Sequence, residues 1–256
     1  MADKLVIIPT YNEKENIAKI IKAVFALEKP FHVLIIDDGS PDGTAQIVKD
    51  MQSGTYGGQL FIEEREGKLG LGTAYIHGFK WGLQRGYQYI CEMDADFSHP
   101  PKDLERLHEA CSTGGADLAV GSRYVKGGKV VNWPFDRIFL SYGASIYVRM
   151  VTWMPVKDPT AGFVCYSRKV LEMMDLDKIR FVGYAFQIEM KFAARTLGFK
   201  IKEVPITFTD RVEGVSKMNT SIVSEAIFGV LSMKWQSFSN SYAKEADVVK
   251  ELNKNT

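Results

Sequence analysis

Short, uninterrupted apolar runs alternate along the first half of the chain with segments in which apolar residues recur every three or four positions. An uninterrupted run indicates a strand buried on both faces, and the wider spacing indicates an amphipathic helix. The runs predict strands over 5–8, 32–36, 60–64, 87–93 and 117–121. The spaced segments predict helices over 13–27, 44–51, 72–85 and 100–112. This alternation predicts an α/β fold with a mostly parallel central sheet flanked by helices.

The pattern changes after about residue 122. Residues 126–135 are rich in Gly, Lys and Trp and are predicted to form a long mobile loop, followed by a helix over 138–154. Further strands are predicted over 163–167 and 203–209, and further helices over 183–197 and 220–238. We therefore predict one domain over 1–240, with halves at about 1–122 and 123–240, and a flexible polar tail over 241–256.

Composition excludes several classes of protein. The 256 residues are 46% hydrophobic and 25% charged and carry a net charge of +1, so no global field favours nucleic acid. The three cysteines are not closely spaced, which argues against a disulfide framework or a zinc site and fits a reducing cytoplasm. The first apolar run is too short for a signal peptide, and no stretch is long enough to span a membrane. Any membrane association is expected to be peripheral.

Two carboxylates follow the strand predicted over 87–93. Asp94 and Asp96 stand two positions apart, so an extended chain places both on one face, roughly 7 Å apart. Two such carboxylates repel each other by about 2 kcal/mol in partly screened surroundings. A divalent cation bound between them replaces that repulsion by attraction of both carboxylates to the cation. Carboxylates and substrate phosphates together suit Mg²⁺ or Mn²⁺. The pair predicts a metal-dependent enzyme that acts on a nucleotide diphosphate compound.

Further candidate residues follow the first two predicted strands, whose carboxyl ends form the edge where open α/β sheets bind ligands. Tyr11 can stack on a base and Glu13 can accept hydrogen bonds, although ordinary helix capping accounts for the same residues. Asp38 can grip a ribose or a base, but its Gly, Ser and Pro neighbours also form turns. The segment 69–74 lacks the third glycine of a dinucleotide fingerprint, so tight packing or a flexible turn is favoured there.

Basic residues in the second half are candidate phosphate ligands, namely Arg123, Arg137, Arg211 and Lys217. A guanidinium binds phosphate oxygens as a fork, although each of these residues taken alone is more often a solvated surface charge. The helices predicted over 138–154 and 220–238 carry large apolar stripes with several Trp and Tyr residues. Core packing is the default interpretation of these stripes, and an interface helix or a lipid groove is the alternative.

These motifs occur in an order that resembles one enzyme family. They are residues 9–13, IDDGSPDGT at 36–44, LGLGTAYIHG at 69–78, MDADFSHP at 93–100, GSRY at 121–124, FQIEM at 186–190 and EVPITFTDRVEGVSK at 203–217. Together they resemble the inverting glycosyltransferases of family 2, and within that family the group that transfers mannose to dolichyl or polyprenyl phosphate. The resemblance covers nearly all of residues 4–238.

The resemblance implies a GT-A fold, a GDP-mannose donor, a dolichyl or polyprenyl phosphate acceptor and Mg²⁺ or Mn²⁺. It implies metal binding by Asp94 and Asp96, with Ser98 as a weaker ligand where some members carry Gln. The implied catalytic residues are Asp96, Arg123, Arg137 and Arg211. The implied nucleotide-sugar site comprises Pro9, Tyr11, Glu13, Ile36, Asp38, Asp94, Ala95, Asp96, Arg123, Arg211 and Lys217.

The resemblance also implies where and how the enzyme works. Arg137 would contact the acceptor phosphate, with residues 126–135 closing over it. The protein would sit peripherally on the cytoplasmic face of a membrane, with a small membrane-anchoring partner as one means of attachment. A lipid phosphate is already anionic, so its attack on the sugar needs no general base. In-line attack would invert an α-linked donor to a β-linked product.

Three alternatives stay open from the sequence. A UDP-glucose or UDP-N-acetylglucosamine donor would leave the acceptor and the fold unchanged. A sugar nucleotidyltransferase also uses acidic pairs and Mg²⁺, but it normally carries an early Gly-rich phosphate loop that residues 9–16 lack. A catalytically silent nucleotide-binding subunit is disfavoured by the intact acidic pair and arginines.

Overall fold

The structure is a computed structural model that describes residues 3–29, 31–183, 185–210, 220–237 and 241–244, with the backbone alone over 220–227. Its strands are β1 (Lys4–Thr10), β2 (His32–Asp37), β3 (Leu60–Glu64), β4 (Tyr89–Glu92), β5 (Leu118–Ser122), β6 (Lys129–Val131), β7 (Val164–Ser167), β8 (Ile201–Pro205) and β9 (Thr207–Thr209). Its helices are α1 (Ile17–Phe25), α2 (Thr44–Ser53), α3 (Leu71–Gln84), α4 (Asp103–Ser112), α5 (Phe135–Thr152), α6 (Arg168–Met173), α7 (Ala185–Thr196) and α8 (Thr220–Gln236), with a 3₁₀ turn at Leu176–Lys178.

The main sheet has the strand order β3-β2-β1-β4-β7-β5-β8. Neighbouring strands are parallel except around β7, which runs antiparallel to both β4 and β5. The strand order reverses between β1 and β4, the position where open α/β sheets bind ligands. In the described part of the chain, β6 and β9 form a second, two-stranded parallel sheet. The predicted α/β fold with a mostly parallel sheet is confirmed.

The main sheet is covered on both faces because its central strands are almost entirely aliphatic. In β1, Leu5 and Ile7 belong to one hydrophobic cluster, whereas Val6 and Ile8 belong to the other. Helix α1 packs its apolar stripe into the second cluster. Helix α3 packs closely against the face of the sheet that carries the first cluster, since a Cβ at Gly78 would lie only 2.8 Å from Ile7 Cδ1.

Several segments of the second half differ from the prediction. The strand predicted over 203–209 is divided at Ile206, whose N–H donates to the Ser122 carbonyl oxygen (3.1 Å). As a result, β8 joins the main sheet and β9 joins the small one. The mobile loop predicted over 126–135 contains β6, which is ordered by its pairing with β9. Helix α5 begins directly after Pro134, earlier than predicted, and α6 is absent from the prediction.

The beginning of the predicted flexible tail is docked on the domain. Ala243 forms a bridge with Met174, and the Tyr242 carbonyl oxygen accepts a hydrogen bond from Asp175 N–H (2.8 Å). The buried Tyr242 hydroxyl donates to Glu189 Oε1 (3.2 Å). Residues 241–244 are therefore part of the folded domain, and 245–256 lie outside the described residues.

Candidate active site

The carboxyl edge of β2, β1 and β4 brings the predicted nucleotide residues together. Pro9 and Ile36 are register partners on β1 and β2, and Asp38 follows directly after β2. Strand β4 pairs with β1 on its other side, and Asp94 lies just beyond its end. Because these strands are parallel, all four residues lie at one edge of the sheet.

The turn after β1 is fastened to the start of α2. Glu13 is buried, and its N–H donates to Thr44 Oγ1 (3.0 Å). The neighbouring Asn12 N–H donates to Ser40 Oγ (2.9 Å). Tyr11 is partly exposed, and the ammonium of Lys68 lies 5.4 Å from its ring centroid. Tyr11, the predicted stacking residue, therefore lies on a hydrogen-bonded turn at the carboxyl edge of the sheet.

Asp37, which is not among the predicted site residues, organises the loop after β2. Its fully buried carboxylate accepts hydrogen bonds from Thr10 Oγ1 (2.8 Å), Ser40 N–H (2.8 Å) and Ser40 Oγ (2.7 Å). A carboxylate that is satisfied by three donors inside the protein belongs to the scaffold. This arrangement holds the adjacent Asp38 in place.

Arg65 is a further residue that the sequence analysis misses. Its Nε donates to Asp38 Oδ1 (2.7 Å), and a terminal nitrogen donates to Thr73 Oγ1 (2.8 Å) on α3. Both Asp38 and Arg65 are about nine-tenths buried, so this ion pair is poorly screened by water. The segment 69–74 is tightly packed, because a Cβ at Gly72 would lie 2.6 Å from the Phe181 carbonyl oxygen. A basic residue directly after β3, close to the glycines, is the sequence signal for Arg65.

The acidic motif forms a turn, which corrects the expectation of an extended chain. Strand β4 ends at Glu92, and Phe97 adopts a left-handed φ of 61°. The buried Asp96 accepts hydrogen bonds at Oδ1 from Ser98 N–H (3.0 Å) and from Ser98 Oγ (2.6 Å), whereas the Asp94 side chain is 40% exposed. Asp and Ser side chains often hydrogen-bond to nearby backbone groups in this way, and such bonds compete with the backbone hydrogen bonds that would continue the strand. Ser98 thus orients Asp96, and its role as a metal ligand stays a prediction.

His99 is buried beneath the acidic turn. Its ring stacks on Phe163 with the ring centroids 5.0 Å apart, and its Nδ1 lies 3.7 Å from Asp94 Oδ2. Burial lowers the pKa of His99 to about 4, so the ring is neutral at neutral pH. The neutral ring supports the turn from below.

The donor set of the acidic turn fits Mg²⁺ or Mn²⁺. Asp94 and Asp96 supply hard carboxylate oxygens, and within the described ranges no cluster of three or more His, Cys, Asp or Glu side chains is placed to hold a metal. A pair of carboxylates matches an ion that takes its other ligands from substrate phosphates and water. Asp94 and Asp96 are therefore the residues that would hold it.

Arg123, which follows β5, is engaged by a buried carboxylate. Its Nε and one terminal nitrogen donate to Asp158 Oδ2 (2.8 Å) and Oδ1 (2.7 Å), forming a two-pronged ion pair. Asp158 is fully buried, and only 9% of the Arg123 side chain is exposed. Such a pair fixes the plane of the guanidinium. Asp158 is separated from Arg123 by 35 positions, so no local sequence pattern indicates the pairing.

Arg123 and Arg137 meet at one indole ring. The guanidinium carbons lie 5.5 Å and 4.0 Å from the ring centroid of Trp133, within the range of cation–π attraction. Arg137 also forms an ion pair with Asp210, with Nη1 lying 2.9 Å from Oδ2. The structure therefore brings two predicted phosphate ligands together. The other two, Arg211 and Lys217, lie outside the described residues.

Strand β9 connects this arginine pair to the acidic turn. Thr209 N–H donates to the Ser98 carbonyl oxygen (3.3 Å). The ring of Phe208 lies 5.4 Å from that of His99 and 5.2 Å from that of Trp133. The acidic and the basic candidates thus border one site, with β9 between them.

The Arg123–Asp158 pair leads to a prediction for the pH dependence of stability. Burial raises the pKa of Asp158, but the charge and hydrogen bonds of Arg123 outweigh burial and hold that pKa below its usual value. In acid the folded state then binds fewer protons than the unfolded state, so stability falls as the pH drops from the unfolded pKa through the folded pKa. We expect Asp158→Asn to lower the free energy of unfolding by about 2 kcal/mol at pH 7.

Urea unfolding of wild type and Asp158→Asn at pH 7, 5, 4 and 3 measures this effect. The difference in stability between the two proteins should shrink below about pH 4, where the aspartate of the unfolded wild type takes up a proton that the folded Asp158 still resists. A difference that is constant from pH 7 to pH 3 would contradict the ionised state of Asp158.

Helix α5 exposes an apolar face, so the default expectation of core packing is wrong for this helix. Its exposed members recur at helical spacing: Phe135, Phe139, Tyr142, Ile146, Met150 and then Trp153 just past the helix end. Phe139 is 72% and Trp153 80% exposed. Helix α8 packs beside α5 and adds Phe228, Leu231 and Trp235. Within the described residues, no helix is both long and apolar enough to cross a membrane.

Comparison with known proteins places the chain in a family. Residues 5–174 match glycosyl transferase family 2. Polyprenol monophosphomannose synthase of Mycolicibacterium smegmatis is 48% identical over 88% of this chain and 84% of that protein. Undecaprenyl-phosphate mannosyltransferase of Micrococcus luteus is 44% identical over 91% of this chain and 96% of that protein.

Solved structures show the same fold at low sequence identity. Glucosyl-3-phosphoglycerate synthase from Mycobacterium tuberculosis, in complex with phosphoglyceric acid, superposes with a TM-score of 0.67 at 17% identity, covering 90% of this chain and 79% of that one. A mannosyltransferase from Pyrobaculum calidifontis, in complex with GDP-Man and Mn²⁺, gives 0.55 at 14% identity over 99% and 79%. The chain has a GT-A fold and belongs to glycosyltransferase family 2.

Proposed function

We propose that this glycosyltransferase moves mannose from GDP-mannose to a dolichyl or polyprenyl phosphate and forms a β-linked polyprenyl phosphate mannose. Two relatives that align over most of their length are named as a polyprenol monophosphomannose synthase and an undecaprenyl-phosphate mannosyltransferase. The mannosyltransferase of similar fold was solved with GDP-Man and Mn²⁺. These names support the donor, the acceptor and the metal of the proposal.

The observation that carries the proposal is the order of chemical groups around the site. The acidic turn of Asp94 and Asp96 lies on one side of β9, and the Arg123–Arg137 pair lies on the other. Arg137 stands in the first turn of α5, and the exposed apolar face runs along that same helix. A lipid phosphate needs this combination of a phosphate site and an adjoining apolar surface.

The donor and the metal would be held by residues at the carboxyl edge of the sheet. The nucleoside would be held by Pro9, Tyr11, Glu13 and Asp38, and the Mg²⁺ or Mn²⁺ ion would be held by Asp94 and Asp96. The metal, when bound, neutralises charge on the departing diphosphate.

The basic residues would act on the phosphate groups. Arg123, with Arg211 and Lys217, would bind phosphate oxygens of donor or acceptor, and Arg137 would bind the acceptor phosphate. Fixed cations near the leaving diphosphate stabilise the charge that develops there. The lipid phosphate is itself the nucleophile and needs no general base. Attack opposite to the leaving group inverts the anomeric carbon.

The exposed face of α5 and α8 fits the surface of a bilayer. Large apolar residues on one helical face, with Trp and Tyr among them, are typical of helices that lie at the headgroup boundary. The Lys234 ammonium lies 4.9 Å from the ring centroid of Trp153, so a basic group adjoins the aromatic side chains. We infer peripheral attachment to the cytoplasmic face of a membrane, with a small membrane-anchoring partner as an added contact.

The transfer reaction itself tests the proposal. Purified protein is incubated with Mg²⁺ or Mn²⁺, a polyprenyl phosphate and either GDP-mannose or UDP-glucose, and the lipid fraction is analysed for added sugar. We expect mannosyl lipid from GDP-mannose, no product with EDTA, and no product from UDP-glucose. Transfer from UDP-glucose alone would contradict the donor assignment, and transfer to a water-soluble acceptor in place of the lipid would contradict the acceptor assignment.

A further inference from the structure

The guanidinium of Arg123 is gripped by a short loop that precedes β7. Besides the two contacts to the Asp158 carboxylate, one terminal nitrogen donates to Thr160 Oγ1 (2.9 Å). The backbone N–H of Arg123 also donates to Asp158 Oδ2 (2.9 Å). Asp158 therefore contacts both the side chain and the main chain of the same arginine.

This loop is itself anchored from two directions. The Glu203 carboxylate on β8 accepts hydrogen bonds from Asp158 N–H (3.0 Å) and from Lys157 N–H (2.8 Å). From α7, the Lys191 ammonium donates to the Ala161 carbonyl oxygen (2.6 Å). The loop is held at both ends, so the carboxylate of Asp158 has a fixed position.

Two charged groups of this arrangement lie in the protein interior. Lys191 and Asp158 are both fully buried. Removing such charges from water is unfavourable, and apolar residues of similar size often serve stability equally well. Buried, mutually interacting charges are concentrated at functional sites. Their value here is the fixed orientation of the arginine at the site edge.

We propose that Asp158 is a positioning residue for the transfer reaction, which acts by holding the Arg123 guanidinium in the orientation that binds a substrate phosphate. An unrestrained arginine loses side-chain entropy when a ligand fixes it, and the contacts with Asp158 and Thr160 remove that cost from ligand binding. This inference rests on the proposed function, in which Arg123 binds a phosphate of the donor or acceptor.

Three single variants separate positioning from general stability. Asp158→Asn keeps the size of the side chain and removes its charge, whereas Thr160→Val removes one acceptor and leaves the ion pair intact. Asp117→Asn is the matched control, because Asp117 also forms an ion pair with a lysine (Lys169) and accepts a backbone hydrogen bond from Lys200 (2.8 Å). Asp117 lies before the first residue of β5, at the opposite end from Arg123.

The decisive measurement is a double-mutant cycle with Arg123→Ala, read as kcat/KM for mannosyl transfer and as KM for each substrate. We expect Asp158→Asn to lower kcat/KM by about 10- to 100-fold and Thr160→Val by about 3-fold. Asp117→Asn should stay within about 2-fold of wild type. In the Arg123→Ala background, Asp158→Asn should cost less than about 2-fold more, because there is no guanidinium left to hold.

The same cycle is read by calorimetry with GDP plus Mn²⁺ and with a short-chain polyprenyl phosphate. Absence of transfer by the wild type would refute the proposed function, while loss of affinity on Asp158→Asn that disappears in the Arg123→Ala background would still support the positioning role. Equal losses in both backgrounds would overturn the inference. So would an Arg123→Ala variant that changes neither transfer nor binding. If Asp158→Asn fails to fold, Thr160→Val in the same cycle decides.

Discussion

Replacement of Asp96 by alanine is expected to reduce transfer by about 10³-fold or more while the protein stays folded. The carboxylate sits in a buried turn beside the more exposed Asp94, and together they form the proposed metal site. It accepts hydrogen bonds from Ser98 N–H and Ser98 Oγ within the turn that follows β4, so its loss first disturbs this turn. The metal dependence of transfer and Mn²⁺ binding by calorimetry in the presence of GDP measure the effect.

Two further variants separate charge from turn geometry. Asp96→Asn keeps an acceptor for the Ser98 bonds and removes the charge, so we expect it to be nearly as inactive as the alanine variant. Ser98→Ala keeps the charge, so its activity should stay within about 10-fold of wild type. Asp117→Asn again serves as the folded control. Substantial metal-dependent activity in Asp96→Ala would refute the role assigned to Asp96.

The second large effect concerns the exposed face of α5. Phe139→Ser combined with Trp153→Ser is expected to weaken partition onto vesicles by about 100-fold, since removal of two apolar side chains from the interface costs about 3 kcal/mol. Transfer to a long-chain polyprenyl phosphate in vesicles should fall in parallel. Transfer to a short, water-soluble polyprenyl phosphate should stay within about 3-fold, because the phosphate site is intact. Vesicle sedimentation and the two transfer rates measure these outcomes.

A control for the apolar face lies elsewhere on the surface. Met173 at the end of α6 is also partly exposed, and Met173→Ser removes an apolar side chain outside α5 and α8. We expect it to leave partition unchanged. Vesicle binding that survives the Phe139 and Trp153 replacements would show that the α5 face is not the membrane contact.

The first half of the fold is predictable from local sequence. The runs that become β1 and β2 are aliphatic at successive positions, which only a strand covered on both faces accommodates. Since parallel strands share one carboxyl edge, the positions of Asp38 and Asp94 at that edge follow from the alternation of strands and helices. The metal and nucleotide candidates could therefore be named before the structure was known.

The remainder depends on contacts between residues far apart in the sequence. Arg65 is held in place because Thr73 on α3 lies beside the end of β3. The ion pair between Arg123 and Asp158 likewise joins two loops that are 35 positions apart in the sequence. The strand predicted over 203–209 is divided where Ile206 N–H donates to the Ser122 carbonyl oxygen. Ser122 belongs to β5, so this division depends on a neighbouring strand that is distant in the sequence. For α5, periodicity gives an apolar stripe, but whether protein or another phase covers that stripe is decided by the rest of the fold.

The configuration of the lipid product decides whether the lipid phosphate attacks the donor sugar in a single step. The product formed from GDP-α-mannose and a polyprenyl phosphate is purified, and its anomeric configuration and phosphorus coupling are determined by NMR. We expect mannose bonded through its anomeric carbon to the lipid phosphate in the β configuration. An α-linked product, or mannose attached to anything other than the phosphate, would contradict single-step attack by the lipid phosphate.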